Sequence, residues 1–177
     1  MRKTLIFLVM FIVFLIIYFL QSNFFTWFTI AGVMPNLFVI FALFIGLYAG
    51  TKVGIGFGLF MGLFLDIVLG KSLGVYTVML TVIAIFGVYL DKNFSKDSRI
   101  IIMLMVSAAT AIFEIGCYIF NIAVSNINIE VLQFIKILVI EILFNVFLTI
   151  ILNPLIQKMG YKLEDIFKEQ RILTRYF

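Results

Sequence analysis

Three carboxylates interrupt otherwise apolar sequence: Asp66 in "FLDIVLG", Glu114 in "AIFEIGC" and Glu141 in "VIEILFN", the last closing on Asn145. Paired carboxylates can share a proton for acid–base work or hold a metal ion. Neither chemistry finds its usual companions here. The chain has no histidine, which removes imidazole ligands, serine–histidine triads and the common proton relays. The acid-containing segments match no intramembrane protease or phosphotransferase signature. The glycines are not followed by the lysine–serine/threonine pair of a phosphate loop. An enzyme is not expected, nor a cofactor or a metal. What remains for Asp66, Glu114, Glu141 and Asn145 is a buried polar cluster, used either to fix a fold or to bind a partner or small ligand.

Asp66 also belongs to a second pattern. Glycine recurs at 46, 50, 54, 58, 62, 70 and 74, and Asp66 occupies the one skipped place in this four-residue beat. On a helix, small residues four apart lie near one face and let a neighbouring backbone approach closely. Gly54, Gly58, Gly62, Gly70 and Gly74 are therefore read as a helix-packing groove, with Asp66 near its end.

The elements that position these residues follow from composition. Hydrophobic residues make up 64% of the chain and charged ones 12%, with a mean hydropathy of +1.24. That is an integral membrane protein. Runs such as "IFLVMFIVFLIIYFL" lack the alternation of a barrel strand, so the spanning elements are helices. Against the roughly 20 residues that cross the hydrocarbon, the apolar stretches give six transmembrane helices at about 4–20, 37–49, 53–69, 75–90, 100–122 and 133–155. The second and third join so tightly at Thr51 and Lys52 that a hairpin is expected, since one continuous helix would run about 50 Å. Residues 1–156 form the membrane domain. Residues 157–177 place Met159, Leu163, Ile166, Phe167 and Leu173 near one helical face, which suggests an amphipathic tail on the membrane surface, an anchor or a partner site. The aromatic segment between the first two spans, with Trp27, reads as a re-entrant or surface-lying stretch or a docking surface.

Lysine and arginine set the orientation. With both termini cytoplasmic, all but Lys71 and Lys136 fall on the inner side. The net charge of +4 then reflects topology and anionic lipids at the cytoplasmic face, with no nucleic acid partner. The N-terminal run is a retained signal anchor, because "QSNFF" carries no small-x-small cleavage site. Cys117 lies within the fifth span and packs as a small apolar residue. At about 1.5 Å per residue, Asp66, Glu114 and Glu141 all fall in the outer half of the bilayer. Lys71 and Lys136 are their candidate counter-ions.

Taken together, the "MRK" start, "PNL" at Pro35 to Leu37, "GLFLDIVLGKSLG" from Gly62 to Gly74, the glutamate of span five and "EILFNVFLTIILNPLI" from Glu141 to Ile156 resemble the bacterial rod shape-determining protein MreD family. The resemblance covers nearly the whole chain. It implies a non-enzymatic component of the cell-elongation and peptidoglycan synthesis machinery in the bacterial cytoplasmic membrane. The implied partners are a single-span MreC-like protein, bound through the helices, and beyond it MreB, RodZ, and RodA with its transpeptidase. The family is also thought similar in fold to the substrate-binding subunits of energy-coupling-factor transporters. A vitamin-type substrate-binding subunit is accordingly the alternative function.

Overall fold

The computed structural model describes residues 2–69, 74–125 and 130–168. It contains six α-helices: α1 (Arg2–Phe19), α2 (Leu37–Ala49), α3 (Thr51–Leu69), α4 (Val75–Asn93), α5 (Arg99–Ser125) and α6 (Val131–Phe167). A π-helical turn at Leu20–Phe24 extends α1, and the only extended pairing among the described residues is an isolated bridge between Ile30 and Val33. The expected all-helical bundle is thus present. Five of the helices are long and apolar enough to cross a membrane, and α2 is a shorter apolar helix. The end of the bundle bearing the N-terminus is called proximal below, and the opposite end distal.

The centre of the bundle is α2, buried at every position except Phe41. At 13 residues it rises only about 20 Å. Its flat, unbroken apolar composition suits a helix covered on all sides. Gly50, at φ +80°, ends α2 and turns the chain straight into α3. A left-handed backbone at that place favours glycine, and the hairpin expected at Thr51–Lys52 turns here instead.

In lipid, helices associate through close packing, not through exclusion of water. The glycines of α2, α3 and α4 permit that packing here. A Cβ on Gly46 would lie 2.1 Å from the Ala84 carbonyl oxygen, and one on Gly87 2.4 Å from that of Leu43. A Cβ on Gly62 would stand 2.3 Å from Thr77 Cα, while Gly58 faces Leu80 and Ala84, and Gly54 faces Gly46. The stripe on α3 is therefore filled by α2 and α4 of the same chain. Gly74 plays a different part, adopting φ +99° at the start of α4 with open space where a side chain would stand. Gly70 lies outside the described residues.

Helix α1 is held more loosely, chiefly by aromatic rings. Phe14 meets Phe38, Phe60 and Phe64, Tyr18 meets Phe64, and Phe7 meets Phe167 edge to face. Pro154 does not end α6, which continues through Gln157 to Phe167. Asn145 accepts a bond from Asn36 at one end of α2, and Lys168 reaches Leu47 at the other. About 34 Å of α6 joins points that lie only about 16 Å apart on α2. The final third of α6 must therefore run obliquely to α2 at the proximal end, and Pro154, which cannot donate to the carbonyl four residues back, lies within the helix ahead of that stretch.

A group of charges ties this oblique segment down. Lys168 Nζ donates to the Leu47 carbonyl and to Asp91, each at 2.7 Å. Lys96 Nζ donates to Asp91 at 2.8 Å and to Glu164 at 2.7 Å, and lies 4.8 Å from the centre of the Tyr48 ring. Burial opposes the Lys96 charge, but its hydrogen bonds to Asp91 and Glu164 outweigh burial and hold its pKa above the ordinary 10.5. A raised lysine pKa means that this contribution is complete below the ordinary value and disappears as pH rises through the folded-state value.

Two outcomes are expected. Gly62→Ala forces backbone against backbone and should destabilise the solubilised protein by about 1–3 kcal/mol. Gly56→Ala, with nothing within 4 Å of the new methyl, should leave the thermal melt unchanged. The melting temperature of the parent should exceed that of Lys96→Met by a constant margin between about pH 6 and about pH 10; the margin should close above about pH 10.5 and shrink in acid as Asp91 and Glu164 are protonated.

Candidate functional site

Helix α4 starts inside the bundle, and its first amide protons need acceptors that lipid cannot supply. Its N-cap is Gly74, which has no side chain to offer. Asp66, one helix away and only 2% exposed, takes that role. Its Oδ2 accepts the Gly74 and Thr77 amides, each at 3.0 Å, together with the Thr77 hydroxyl at 2.5 Å. Its Oδ1 accepts the Tyr76 amide at 3.0 Å. A carboxylate at a helix N-terminus also opposes the helix dipole favourably. Asp66 is thus fully engaged in holding α3 to α4.

The start of α2 uses a parallel device. The Asn36 side-chain oxygen accepts from the Val39 amide at 3.3 Å, and the Asn36 backbone N–H donates to Asn145 Oδ1 at 2.7 Å. Asn145 Nδ2 donates to Thr110 Oγ1 at 2.9 Å, so α2, α5 and α6 meet at this one buried side chain. Gln21 completes the set, accepting from the Leu37 amide at 3.2 Å and donating to the Pro35 carbonyl at 2.6 Å. Asn36 was legible as a cap, a polar residue just ahead of an apolar run. Gln21 carried no such signal, since nothing local distinguishes it from any loop glutamine. Ser107, one turn before Thr110 on α5, donates to the Met103 carbonyl of its own helix.

Glu114 on α5 and Glu141 on α6 stand close enough for their carboxyl groups to interact electrostatically, and the Asn36 side chain lies near Glu141. The expected single cluster is therefore two groups. Asp66 serves the α3–α4 junction, while Glu114, Glu141 and Asn145 lie between α5, α6 and the start of α2. One oxygen of Glu141, Oε1, has no hydrogen-bond partner among the described residues, although the residue is only 6% exposed.

Glu114 and Glu141 border a cavity of about 920 Å³ at the distal end, whose wall also includes Tyr18, Gln21, Tyr76 and Lys136. Lys136 thus lies on the same cavity as the acids, as its position at the distal end of α6 suggested. Lys71 falls outside the described residues. Among the described residues no group of three or more histidine, cysteine, aspartate or glutamate side chains is placed to hold a metal ion.

The segment from Gly62 to Gly74 is the α3–α4 clamp: a glycine against Thr77, an aspartate on the α4 amides, and a glycine at the cap. A family model described as rod shape-determining protein MreD matches residues 1–162. The chain belongs to that family. Neither a curated protein nor a solved structure matched the chain. Membership makes it a rod shape-determining protein, and its apolar helices make it a multi-pass membrane protein. In this MreD-family chain, the stretch that carries the resemblance most strongly is therefore also a piece of local structural chemistry.

Asp66→Leu would leave the Gly74, Tyr76 and Thr77 donors unpaired. It should cost about 2–5 kcal/mol by thermal or denaturant unfolding of the solubilised protein, and Asp66→Asn, which keeps one acceptor oxygen, about half as much.

Proposed function

We propose that this protein is a non-enzymatic member of the bacterial elongation complex and binds the transmembrane helix of a bitopic, MreC-like partner. MreB, RodZ, RodA and its transpeptidase would join through that contact. The observation that carries this reading is a groove of about 440 Å³ between α1 and α3, bordered by Phe7, Phe11, Lys52, Gly56, Phe57 and Phe60. Gly54, Gly58 and Gly62 are covered by the chain's own helices, whereas nothing lies within 4 Å of a Cβ built on Gly56. A foreign helix finds its close approach there and not along the glycine stripe. Phe7 and Phe11 give such a helix an apolar wall, and Lys52 stands at one end of the groove for an acidic residue or lipid headgroup.

In the orientation that accompanies this reading, both termini and the proximal charge group are cytoplasmic, because Lys52, Lys96 and Lys168 gather at that end. The segment from Gln157 to Lys168, helical to Phe167, lies along the cytoplasmic surface on anionic lipid. Asp66, Glu114, Glu141 and Asn145 act on the partner indirectly, by setting the helices that shape the groove.

A photocrosslinking residue at position 56, activated in native membranes, should capture an MreC-like bitopic protein, and one at the exposed Leu104 of α5 should not. Capture from position 104 alone would displace the docking site. The alternative, a vitamin-type substrate-binding subunit of a transporter, draws support from the distal cavity, and recovery of an ATPase module in the same experiment would favour it.

A further inference from the structure

The polar side chains buried between these helices differ in one respect. Asp66 and Asn145 have their oxygen atoms matched by donors of the chain itself. Glu141 does not. Among the described residues its Oε1 is without a partner, as are Tyr48 Oη and Asn153 Oδ1, but Glu141 alone of the three stands on the wall of the 920 Å³ cavity, 94% buried and beside a second carboxyl. A polar atom left unpaired at such a depth costs several kcal/mol. A residue serving only to pack the bundle has no need of that cost, and leucine would fill the position more cheaply.

The chemistry that answers two adjoining carboxyl groups is a compact cation with several hydrogens to donate. An ammonium group has three and no acceptor. An anion is repelled, and a small hard metal ion lacks the oxygen ligands it requires. Tyr18 and Tyr76 on the same wall add ring surface on which an amine or its carbon chain can rest. Lys136 supplies the other half of the pattern. It borders the same cavity, is exposed, and makes no ion pair with a described residue. On α6 it precedes Glu141 by about 7.5 Å of helix rise toward the distal end. The cavity is of a size that holds a small molecule.

We propose that the distal cavity is a binding site for a zwitterion, with its ammonium seated on Glu114 and Glu141 and its anionic group at Lys136. The site is independent of the α1–α3 groove, so it stands or falls separately from partner docking. Its occupant comes either from solution or from the headgroup of an aminophospholipid, which carries the same pair of charges.

The test uses the full-length protein in phosphatidylcholine nanodiscs, titrated with 6-aminohexanoate, whose charges stand about as far apart as Lys136 and Glu141 do along α6. Saturable binding is expected. Glu141→Gln should weaken it about tenfold or more, and Lys136→Met should weaken 6-aminohexanoate while leaving 6-aminohexanol, which keeps the amine alone, unchanged. Because Lys136 is exposed, its variant keeps the test valid even if Glu141→Gln fails to fold. Competition by phosphatidylethanolamine added to the nanodiscs identifies the lipid as the source, and its absence identifies a soluble ligand. Equal binding of hexanoate, displacement of the probe by sodium chloride at matched concentration, or unweakened binding by a folded Glu141→Gln variant would overturn the assignment.

Discussion

A helix that begins inside a membrane bundle must find acceptors for its first amide protons within its own protein. Water is absent and lipid accepts nothing. Two helices here begin that way. Asp66 answers for α4 and the Asn36–Asn145–Gln21 group answers for α2. Each solution comes partly from a neighbouring element, so satisfying the backbone also sets how the helices sit against one another. Asp66 locks α3 to α4, and Asn145 locks α6 and α5 to α2.

Once those junctions are set, the glycines become necessary. With Thr77 held on Asp66, its Cα lies where a side chain on Gly62 would be. The same closeness recurs at Gly46 and Gly87, where α2 and α4 touch backbone to backbone. The two ends of the bundle then carry different work. At the proximal end, charges of both signs neutralise one another around Asp91, Lys96, Glu164 and Lys168. The groove between α1 and α3 opens toward this same end, beside Lys52. At the distal end, two carboxyls and a lysine border a cavity.

Much of this was legible from residue order. The six helices, and a tight turn between the second and third, follow from rules that act within a few residues, although the turn falls at Gly50 and not at Thr51–Lys52. Lys136, expected as a counter-ion of the acids, borders the same cavity as Glu114 and Glu141 but makes no ion pair with a described residue. Spacing could not tell which acids would meet. Asp66, Glu114 and Glu141 look alike as carboxylates in apolar sequence, yet Asp66 faces the start of α4 while the other two face each other. The proximal charge group was equally hidden. Lys96 and Glu164, far apart in sequence, meet because the end of α6 lies against the connection between α4 and α5.

The sequence by itself determined that this is a helical membrane protein of the MreD family, because hydropathy, helix period and the Gly62–Gly74 motif are local properties of the chain. Tertiary structure decided what the polar residues do. A carboxylate in lipid becomes a cap, a pair or an unsatisfied group according to which donors the other helices bring within about 3 Å of it. The same holds for the glycines: whether a stripe of small residues is a surface or a seam depends on which helix lies against it. In this protein α2 and α4 close that seam, and the open places lie elsewhere, beside α1 and beneath Lys136.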